Sequence, residues 1–470
     1  RRIMSLWTIA DIARATQGTL HHDTASEGAT PVTGVSIDSR SLVPGDLFVA
    51  LRGPNNDAHD FAAAAVAAGA AALLVERPLN LSTPQIVVPD TTAALEAMGS
   101  DRRAAASDAF VLGITGSVGK TGTKELAAAG FAALGPTHAT RGNLNNHYGV
   151  PLTLARMPVD TRFAVIEMGM SAAGEIRALS RMVRPDAALI TWVSAAHSAF
   201  FNGTEEIADA KAEIFEGLNT EDGSTAEPKG LAVLPADNPH FDRLLATAQR
   251  HAGTVRSFGT DETADLRLNT DAGDGSKAIN GTRVSLQLAG DQWYSALAGL
   301  LAVLPAAGLR DPAADTAAFI AAAGTVEPLR GRGQTLSLPG IDGGAAQLID
   351  ESYNASPAAM EAALRLLAQT PTTGRRIAVL GDMLELDDPA TEHARIGRLI
   401  AAMPIDVVHV CGAYGDTVLA EIEPGQRGLS APKALDLYTG IAQSIHGGDT
   451  WLIKGSLGSE VHLLVEKLTP

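Results

Sequence analysis

The chain has 470 residues, of which 46% are hydrophobic and 19% are charged, and its formal net charge is −17. This length exceeds what one hydrophobic core supports and predicts about three domains. The acidic balance argues against a nucleic-acid-binding surface and against a basic membrane-binding face. The sequence contains no run of roughly 18 apolar residues, so no membrane span is predicted.

The single cysteine, Cys411, lies inside the apolar run 407–411. A disulfide framework is therefore excluded, and a reducing, cytoplasmic environment is expected. The apolar neighbours predict a buried strand thiol rather than a reactive one. The first residues lead into an amphipathic stretch and do not predict a signal peptide.

Residues 1–107 alternate short β-like runs with alanine-rich helices, which predicts a small α/β domain. Polar side chains concentrate at turns near predicted strands, in residues 36–40 and 57–61. Such loops bind ligands more often than cores do. From the residues alone, Asp38 and Arg40 fit a solvated turn equally well, and His59 fits a helix start.

The apolar run 111–115 leads into a glycine-rich turn and then into a helical pattern. This order predicts a loop whose backbone N–H groups bind phosphate, with Lys120 supplying positive charge and the Thr121 hydroxyl ligating Mg²⁺. The loop is a variant, because Ile114 occupies the usual first glycine position and Gly113 lies one residue earlier. The predicted phosphate-binding residues are Gly116, Ser117, Val118, Gly119, Lys120, Thr121 and Gly122.

Strands and helices alternate from residue 108 to 325, which predicts a parallel sheet with helices on both faces. Because such sheets bind ligands beyond the carboxyl ends of their strands, residues that end other strands should converge on the loop. Glu167 ends one predicted strand and suits Mg²⁺, and His197 follows another. A glutamate at a strand end is structural about as often as it is functional.

Lys211 lies on the apolar stripe of a predicted helix, on the same face as Ile207, Ile214 and Phe215. One interpretation is a lysine whose stem covers hydrophobic surface while its ammonium reaches solvent. The other is a chemically modified lysine turned toward the nucleotide site, which spacing alone does not indicate.

Residues 326–470 begin at a glycine-rich junction that contains Arg330 and Arg332. Strands and helices then alternate again, which predicts a Rossmann-like domain. The G-x-G-x-x-G fingerprint is missing, so nicotinamide binding is not predicted. The predicted architecture is α/β with three domains: a small N-terminal domain at 1–107, a central P-loop ATPase-like parallel sheet at 108–325 and the Rossmann-like domain at 326–470.

Together these motifs resemble the ATP-dependent Mur ligase family of bacterial cell-wall synthesis, and the resemblance covers nearly the whole chain. The most specific stretches are TGSVGKTGTKE (115–125), GNLNNHYGVPL (142–152), IEMG (166–169), ADAKAEIF (208–215), DESYNASP (350–357) and LGDMLEL (380–386). The glycine spacing of this family also accounts for Gly113.

The resemblance implies an N-terminal domain that holds the UDP end of a sugar nucleotide, a central ATPase domain and a C-terminal domain that closes over both. It implies a ligase, with ATP and Mg²⁺ as cofactors, that joins D-alanyl-D-alanine to UDP-N-acetylmuramoyl-tripeptide through an acyl phosphate. That reaction is the last cytoplasmic step of peptidoglycan precursor synthesis. We expect a monomer without a nucleic-acid partner.

The resemblance also implies residue roles. The catalytic residues would be Lys120, Glu167, His197, Lys211 and Arg332, and the metal ligands Thr121, Glu167, His197 and a carbamylated Lys211. Nucleotide contacts from the third domain would be Arg332, Asp350 and Asn354. Substrate contacts would be Ser39, Arg40, His59 and Asp60 for the uridine nucleotide, with Asn145 and Asn146 near the acceptor.

Two regions depart from the family pattern. Trp192 and Val193 stand where an asparagine is usual, and the helix start at 291–295 lacks the usual His and Asn, so adenine contacts from that helix are not transferred.

Three alternatives stay open. The diaminopimelate- or lysine-adding ligase of the family has an Asp-Asn-Pro-Arg acceptor motif in its C-terminal domain. Here the similar run 237–240 lies in the central domain and ends in His240, so it lacks the arginine that would grip a carboxylate, and we interpret it as a helix-start turn. Folylpolyglutamate synthetase would leave residues 36–40 and 48–61 unexplained. A non-catalytic ATP-binding scaffold would need no motif at 350–357.

Overall fold

The structure is a computed structural model, and it describes residues 5–21, 30–53, 56–195, 201, 203–218, 229–271, 274–288 and 290–469. In these ranges, sheets of five, nine and six strands each form the centre of an α/β unit. The strands of these sheets fall within residues 1–107, 108–325 and 326–470, respectively. The predicted fold class is confirmed.

The N-terminal unit is a mostly parallel five-stranded sheet beside a two-stranded ribbon. Its strands are β1 (Trp7–Thr8), β2 (Thr19–His21), β3 (Pro31–Val32), β4 (Gly34–Ser36), β5 (Asp46–Val49), β6 (Ala72–Val75) and β7 (Gln85–Val87), and its helices are α1 (Ile9–Thr16), α2 (Ala62–Ala67) and α3 (Thr91–Ala105). The sheet order is β2-β7-β6-β5-β4, with only β2 antiparallel, and β1 pairs with β3 in the ribbon. The turns after β4 and β5 therefore lie at the same edge of the sheet.

The central unit contains a nine-stranded sheet. Its strands are β8 (Phe110–Thr115), β9 (Thr137–Ala139), β10 (Phe163–Glu167), β11 (Ala187–Ile190), β12 (Leu231–Pro235), β13 (Thr254–Gly259), β14 (Leu266–Thr270), β15 (Lys277–Ile279) and β16 (Thr282–Val284). The order is β16-β15-β14-β13-β12-β11-β8-β10-β9, and β8 to β14 are parallel. Antiparallel pairing begins at β15.

Helices cover both faces of this sheet, as predicted. They are α4 (Lys120–Ala132), α5 (Gly149–Ala155), α6 (Glu175–Val183), α7 (Thr204–Ala212), α8 (Phe241–His251), α9 (Asp291–Val303) and α10 (Pro312–Gly324). One face packs against α5 to α8 and the other against α4, α9 and α10. The middle strands are apolar almost throughout because both of their faces are buried.

The C-terminal unit is a six-stranded sheet in the order β17-β18-β22-β19-β20-β21, with only β17 antiparallel. Its strands are β17 (Gln334–Pro339), β18 (Ala345–Glu351), β19 (Arg376–Leu380), β20 (Val407–Cys411), β21 (Arg427–Ala431) and β22 (Thr450–Lys454). Its helices are α11 (Pro357–Gln369), α12 (Pro389–Ala401), α13 (Gly415–Ala420), α14 (Tyr438–Ala442) and α15 (Val461–Leu468). Cys411 is buried at the end of β20, so the prediction of a buried strand thiol is confirmed, and burial raises the pKa of the thiol to about 12.

Local sequence explains several helix starts. Asp311, Ser356 and Asp388 each accept a backbone N–H bond with their side chains, and each is followed by a proline in the first turn. An oxygen-bearing cap followed by proline is a favoured way to begin a helix. In the part of the chain that the structure describes, no helix combines the length and the apolar character that a membrane crossing needs.

A buried arginine joins the N-terminal and central units. Arg103, in the last turn of α3, donates from Nε to the Val183 carbonyl at 2.8 Å and from Nη2 to the Arg184 carbonyl at 2.9 Å. Its Nη1 donates to the Ala106 carbonyl at 3.1 Å. Only 6% of Arg103 is exposed. The guanidinium thus satisfies carbonyls from both sides of the junction.

Replacing Arg103 with methionine should therefore destabilise the protein, because buried carbonyls would lose their donors. We expect Arg103→Met to lower the free energy of unfolding by about 2–4 kcal/mol, measured by chemical denaturation. Arg243→Met is the control: Arg243 pairs with Asp209 at 2.8 Å but is 45% exposed, so a change within about 0.5 kcal/mol is expected. Equal stabilities for the two variants would contradict the role of Arg103.

Candidate active site

The glycine-rich loop between β8 and α4 is held by residues that follow β11. Gly116 has φ 154° and Gly119 has φ 82°, in the left-handed region that favours glycine. A Cβ at Gly116 would overlap the Thr191 hydroxyl, which donates to the Val118 carbonyl at 2.6 Å. The backbone N–H of Ser117 donates to the Trp192 carbonyl at 2.7 Å. Thr191 was missed by the sequence analysis, since nothing local marks its contact with a loop 73 residues away.

Lys120 folds back over this loop. Its ammonium donates to the Gly116 carbonyl at 2.7 Å. Burial lowers its pKa, the Glu167 carboxylate opposes that shift, and the positive charge of Arg332 adds to it. The predicted lysine, the β10 glutamate and an arginine from the C-terminal unit are thus electrostatically coupled.

Glu167 ends β10 and is 1% exposed. Its Oε1 accepts hydrogen bonds from Asn145 Nδ2 at 2.8 Å and from the Thr121 hydroxyl at 3.2 Å. Its Oε2 is buried and has no hydrogen-bond partner among the described residues. A buried carboxylate oxygen without a donor is costly unless a cation compensates it. The Glu167 carboxylate and the Thr121 hydroxyl therefore fit the oxygen ligands that Mg²⁺ prefers.

Lys211, on α7, is 2% exposed, so the interpretation of a lysine reaching solvent is excluded. Burial lowers its pKa well below the usual lysine value, and the nearby charge of Lys120 lowers it further. The side chain therefore favours a neutral amine beside the phosphate loop.

Only some of the predicted metal-ligating residues lie within the part of the chain that the structure describes. His197 lies outside the described residues. Within the described ranges, no three His, Cys, Asp or Glu side chains group closely enough to bind a metal ion by themselves. Thr121 and Glu167 do contact each other, at 3.2 Å, and the charge of Lys120 acts on Lys211. A metal site at Thr121 and Glu167 would need further oxygen ligands, such as nucleotide phosphates.

A loop of the C-terminal unit presents Arg332. The guanidinium lies over the Tyr353 ring, 3.9 Å from its centroid. Asp350 is fully buried, and it accepts from the Gly331 N–H at 2.8 Å and from the Ser352 N–H at 3.1 Å. Asp350 thus stabilises the arginine loop in this structure, while its predicted nucleotide contact stays a prediction. Asn354 is exposed and accepts from the Ala355 N–H at 2.9 Å.

The predicted uridine-nucleotide residues lie in the turns after β4 and β5. Arg40 is exposed and pairs with Asp38 at 2.7 Å, and Ser39 beside it is half-buried. Both ring nitrogens of His59 are used within the protein, with Nδ1 bonded to Asp57 at 2.5 Å and Nε2 accepting from the Glu76 N–H at 2.8 Å. In this structure His59 is therefore a buried residue of the 3₁₀ turn, as the helix-start interpretation expects, while its predicted uridine-nucleotide contact stays a prediction.

The remaining predicted substrate positions are Asp60 and Asn146. Asp60 is exposed in the 3₁₀ turn Ala58–Phe61. Asn146 accepts the Gly149 N–H at 2.9 Å and so begins α5. The helix start at 291–295, which departs from the family pattern, contributes an apolar contact instead: the Trp293 ring of α9 packs directly against Gly122 of α4.

The run 237–240 is the turn that precedes α8, as interpreted from the sequence. Asn238 is 3% exposed and donates to the Val193 carbonyl at 2.9 Å. Asp237 accepts the backbone N–H groups of Thr260 and Asp261, each at 2.7 Å. The two side chains thus hold the turn before α8 through hydrogen bonds.

A cavity of about 650 Å³ lies away from these residues. Its lining includes Phe110, Leu231 and Thr254, which begin β8, β12 and β13. It therefore opens at the amino ends of the strands, whereas parallel sheets bind their ligands at the carboxyl ends. We accordingly place the active site at the glycine-rich loop.

Comparisons with protein families match most of the chain. A model described as the Mur ligase family catalytic domain matches residues 31–107. The Mur ligase middle domain matches 114–303, and the Mur ligase glutamate ligase domain matches 331–457.

Similar proteins match over nearly the full length. The UDP-N-acetylmuramoyl-tripeptide:D-alanyl-D-alanine ligase of Bacillus subtilis (strain 168) is 34% identical over 98% of both chains. The crystal structure of MurF from Acinetobacter baumannii superposes with a TM-score of 0.83 at 29% identity and covers 98% of both chains. The MurF ligase from Thermotoga maritima, solved in complex with ADP, gives a TM-score of 0.73 at 25% identity over 93% of this chain and 96% of that chain.

The uncommitted oxygen of Glu167 predicts a cation-binding role. Glu167→Gln keeps the acceptor for Asn145 but removes the negative charge. We expect it to weaken Mn²⁺ binding at saturating ADP by about 10–100-fold, measured by paramagnetic resonance titration. The control is Asp449→Asn, because Asp449 is 3% exposed but is paired with Arg375 at 2.6 Å. Unchanged Mn²⁺ affinity in Glu167→Gln would contradict the assignment.

Proposed function

The chain belongs to the Mur ligase family, and on that premise we propose that it joins D-alanyl-D-alanine to UDP-N-acetylmuramoyl-tripeptide at the expense of ATP. The full-length similarity to ligases of that name supports this reaction. The observation that carries it is the buried Glu167 carboxylate, which accepts from Asn145 and from Thr121 of the phosphate loop. The charges of Glu167 and Arg332 both act on Lys120. The domain ranges 1–107, 108–325 and 326–470, a cytoplasmic location and a monomeric state belong to the same proposal.

The first chemical step brings two anions together. A carboxylate oxygen of the tripeptide attacks the γ-phosphorus of ATP, the bond from that phosphorus to the bridging oxygen breaks, and ADP leaves. Catalysis of such a transfer depends on positioning and charge neutralisation. Lys120, at the first turn of α4, and Arg332, supported by the Tyr353 ring, supply positive charge for the phosphate oxygens.

The second step forms the amide. The dipeptide amine attacks the acyl carbon, the tetrahedral intermediate expels phosphate, and the amine proton is released. Positive groups near the developing oxyanion contribute most, since removing one such donor typically costs about 10²–10³ in rate. Closure of the C-terminal unit would keep water from the acyl phosphate.

Thr121 and Glu167, with His197 and a carbamylated Lys211, would hold Mg²⁺ with the ATP phosphates. When bound, Mg²⁺ neutralises charge on the phosphate oxygens. The role of the protein residues is to fix the site: the Asn145 amide orients the Glu167 carboxylate, and the glycine-rich loop orients Thr121.

A carbamate at Lys211 is consistent with its environment. Only a neutral amine attacks CO₂, and burial lowers the pKa of Lys211 well below the usual value. A bond forms between Nζ and the CO₂ carbon, and the nitrogen releases a proton to solvent. The resulting anion would add a carboxylate-like group in the neighbourhood of Lys120.

The proposed reaction makes phosphate release depend on both substrates. We expect release from ATP with UDP-N-acetylmuramoyl-tripeptide to rise at least about tenfold when D-alanyl-D-alanine is added, because closure limits hydrolysis in its absence. UDP-N-acetylmuramoyl-dipeptide with diaminopimelate is the control. Release only in that control would assign the neighbouring ligase activity, and release in neither would contradict a ligase function.

The carbamate predicts a response to CO₂. As pH falls through the lowered pKa of Lys211, protonation of the amine competes with CO₂, so activity at limiting bicarbonate should fall on the acidic side. Added bicarbonate should shift this fall to lower pH. Lys211→Arg stays charged, and we expect a loss of about 100-fold or more that bicarbonate does not restore. Lys211→Ala should be inactive, and bicarbonate should restore it partly. Full activity in Lys211→Ala without bicarbonate would exclude the carbamate.

A further inference from the structure

Lys124 is a buried cation that the reaction described above does not use. It lies one turn after Lys120 on α4 and is 1% exposed. Its ammonium donates to the Thr140 carbonyl at 2.8 Å and to the Gly142 carbonyl at 3.2 Å. The Glu125 carboxylate lies 2.8 Å from the same nitrogen.

These contacts leave Lys124 without a free donor. An ammonium has three N–H bonds, and Thr140, Gly142 and Glu125 supply an acceptor for each. A direct contact with substrate would therefore require one of these bonds to break. Glu125 compensates the positive charge of Lys124, and the two backbone carbonyls take its remaining N–H bonds. The contacts of Lys124 are therefore with neighbouring backbone and not with a substrate.

The carbonyls that Lys124 holds belong to the segment 140–146, which connects β9 to α5. This segment supports Glu167 from two sides. The Thr140 hydroxyl accepts the backbone N–H of Glu167 at 3.0 Å, and the Asn145 amide donates to its carboxylate at 2.8 Å. The Asn145 carbonyl also accepts the Gly169 N–H at 2.7 Å, just beyond the glutamate.

We propose that Lys124 is a positioning residue that fixes the segment 140–146 to the phosphate-loop helix and thereby orients Glu167. One helix then holds the phosphate loop through its first turn and the glutamate support through its second. This inference rests on the proposed function, because it assigns Lys124 to the geometry of the same ligase site.

The buried ammonium of Lys124 does more than fill space. Burying an ammonium costs stability, and a methionine of similar length would fill the space without that cost. Lys124 instead bonds to carbonyls on both sides of Arg141, which fixes the path of the backbone at this point. Outer partners of this kind typically contribute about 10–100-fold to activity.

The test is Lys124→Met with two measurements. In hydrogen exchange of the substrate-free protein, the amides of 140–146 and of Gly169 should exchange at least about tenfold faster, while those of β8 stay protected. In the ligase assay, kcat should fall about 10–100-fold while KM for ATP changes less than about threefold, since Lys120 and the loop remain. Lys124→Gln, whose amide can still donate to the carbonyls, should show smaller changes in the same directions, and it decides the question if the methionine variant does not fold.

Arg103→Met is the matched control, because it also removes a buried cation that donates to carbonyls. It should lower stability but leave both exchange at 140–146 and kcat unchanged. Unchanged exchange in the Lys124 variants, or faster exchange with kcat unchanged, would overturn the proposal. An inactive wild type would contradict the proposed function instead, and the exchange measurement, which needs no substrate, would still show whether Lys124 holds the segment.

Discussion

The burial of three lysine side chains near one glutamate is the constraint on which the site depends. Lys120, Lys124 and Lys211 approach the carboxyl edge of the central sheet from α4 and α7, and Glu167 lies nearby with one uncommitted oxygen. Each buried charge is costly unless it is paired. Lys124 is paired with backbone carbonyls and Glu125, whereas Lys211 has its pKa lowered instead. In a chain with a formal net charge of −17, positive charge for the phosphate oxygens is therefore left to Lys120 and Arg332.

The fold brings these side chains together because segments that are distant in sequence contact helix α4 and the loop before it. The residues after β11 shape the glycine-rich loop, and the segment before α5 supports Glu167. The C-terminal unit contributes Arg332, whose loop is held by Asp350 and whose guanidinium lies over Tyr353. Movement of the C-terminal unit would therefore bring Arg332 toward or away from Lys120 as one preformed element.

The sequence predicted those parts of the site that local patterns specify. The apolar run before Gly116 and the helical pattern after Lys120 predicted the phosphate loop, and strand alternation predicted Glu167 at the edge of the sheet. The roles of Thr191 and Lys124 were missed because their hydrogen-bond partners, Val118 and Thr140, lie 73 and 16 residues away. A local sequence pattern does not indicate contacts at such separations. The burial of Lys211 could not be predicted from the sequence, because a lysine on an apolar stripe can also extend its ammonium to solvent. His59 was predicted both as a helix-start residue and as a uridine-nucleotide contact, and its ring bonds to Asp57 in the turn and to the Glu76 N–H 17 residues away.

If this site activates a carboxylate as an acyl phosphate, the carboxylate gives one oxygen to the phosphate that is later released. The most direct measurement uses UDP-N-acetylmuramoyl-tripeptide whose terminal carboxylate carries the heavy isotope of oxygen, with ATP and D-alanyl-D-alanine, followed by mass analysis of the released phosphate. We expect each phosphate released with product to carry one heavy oxygen from the carboxylate. Phosphate without the label, formed together with the new amide, would contradict it.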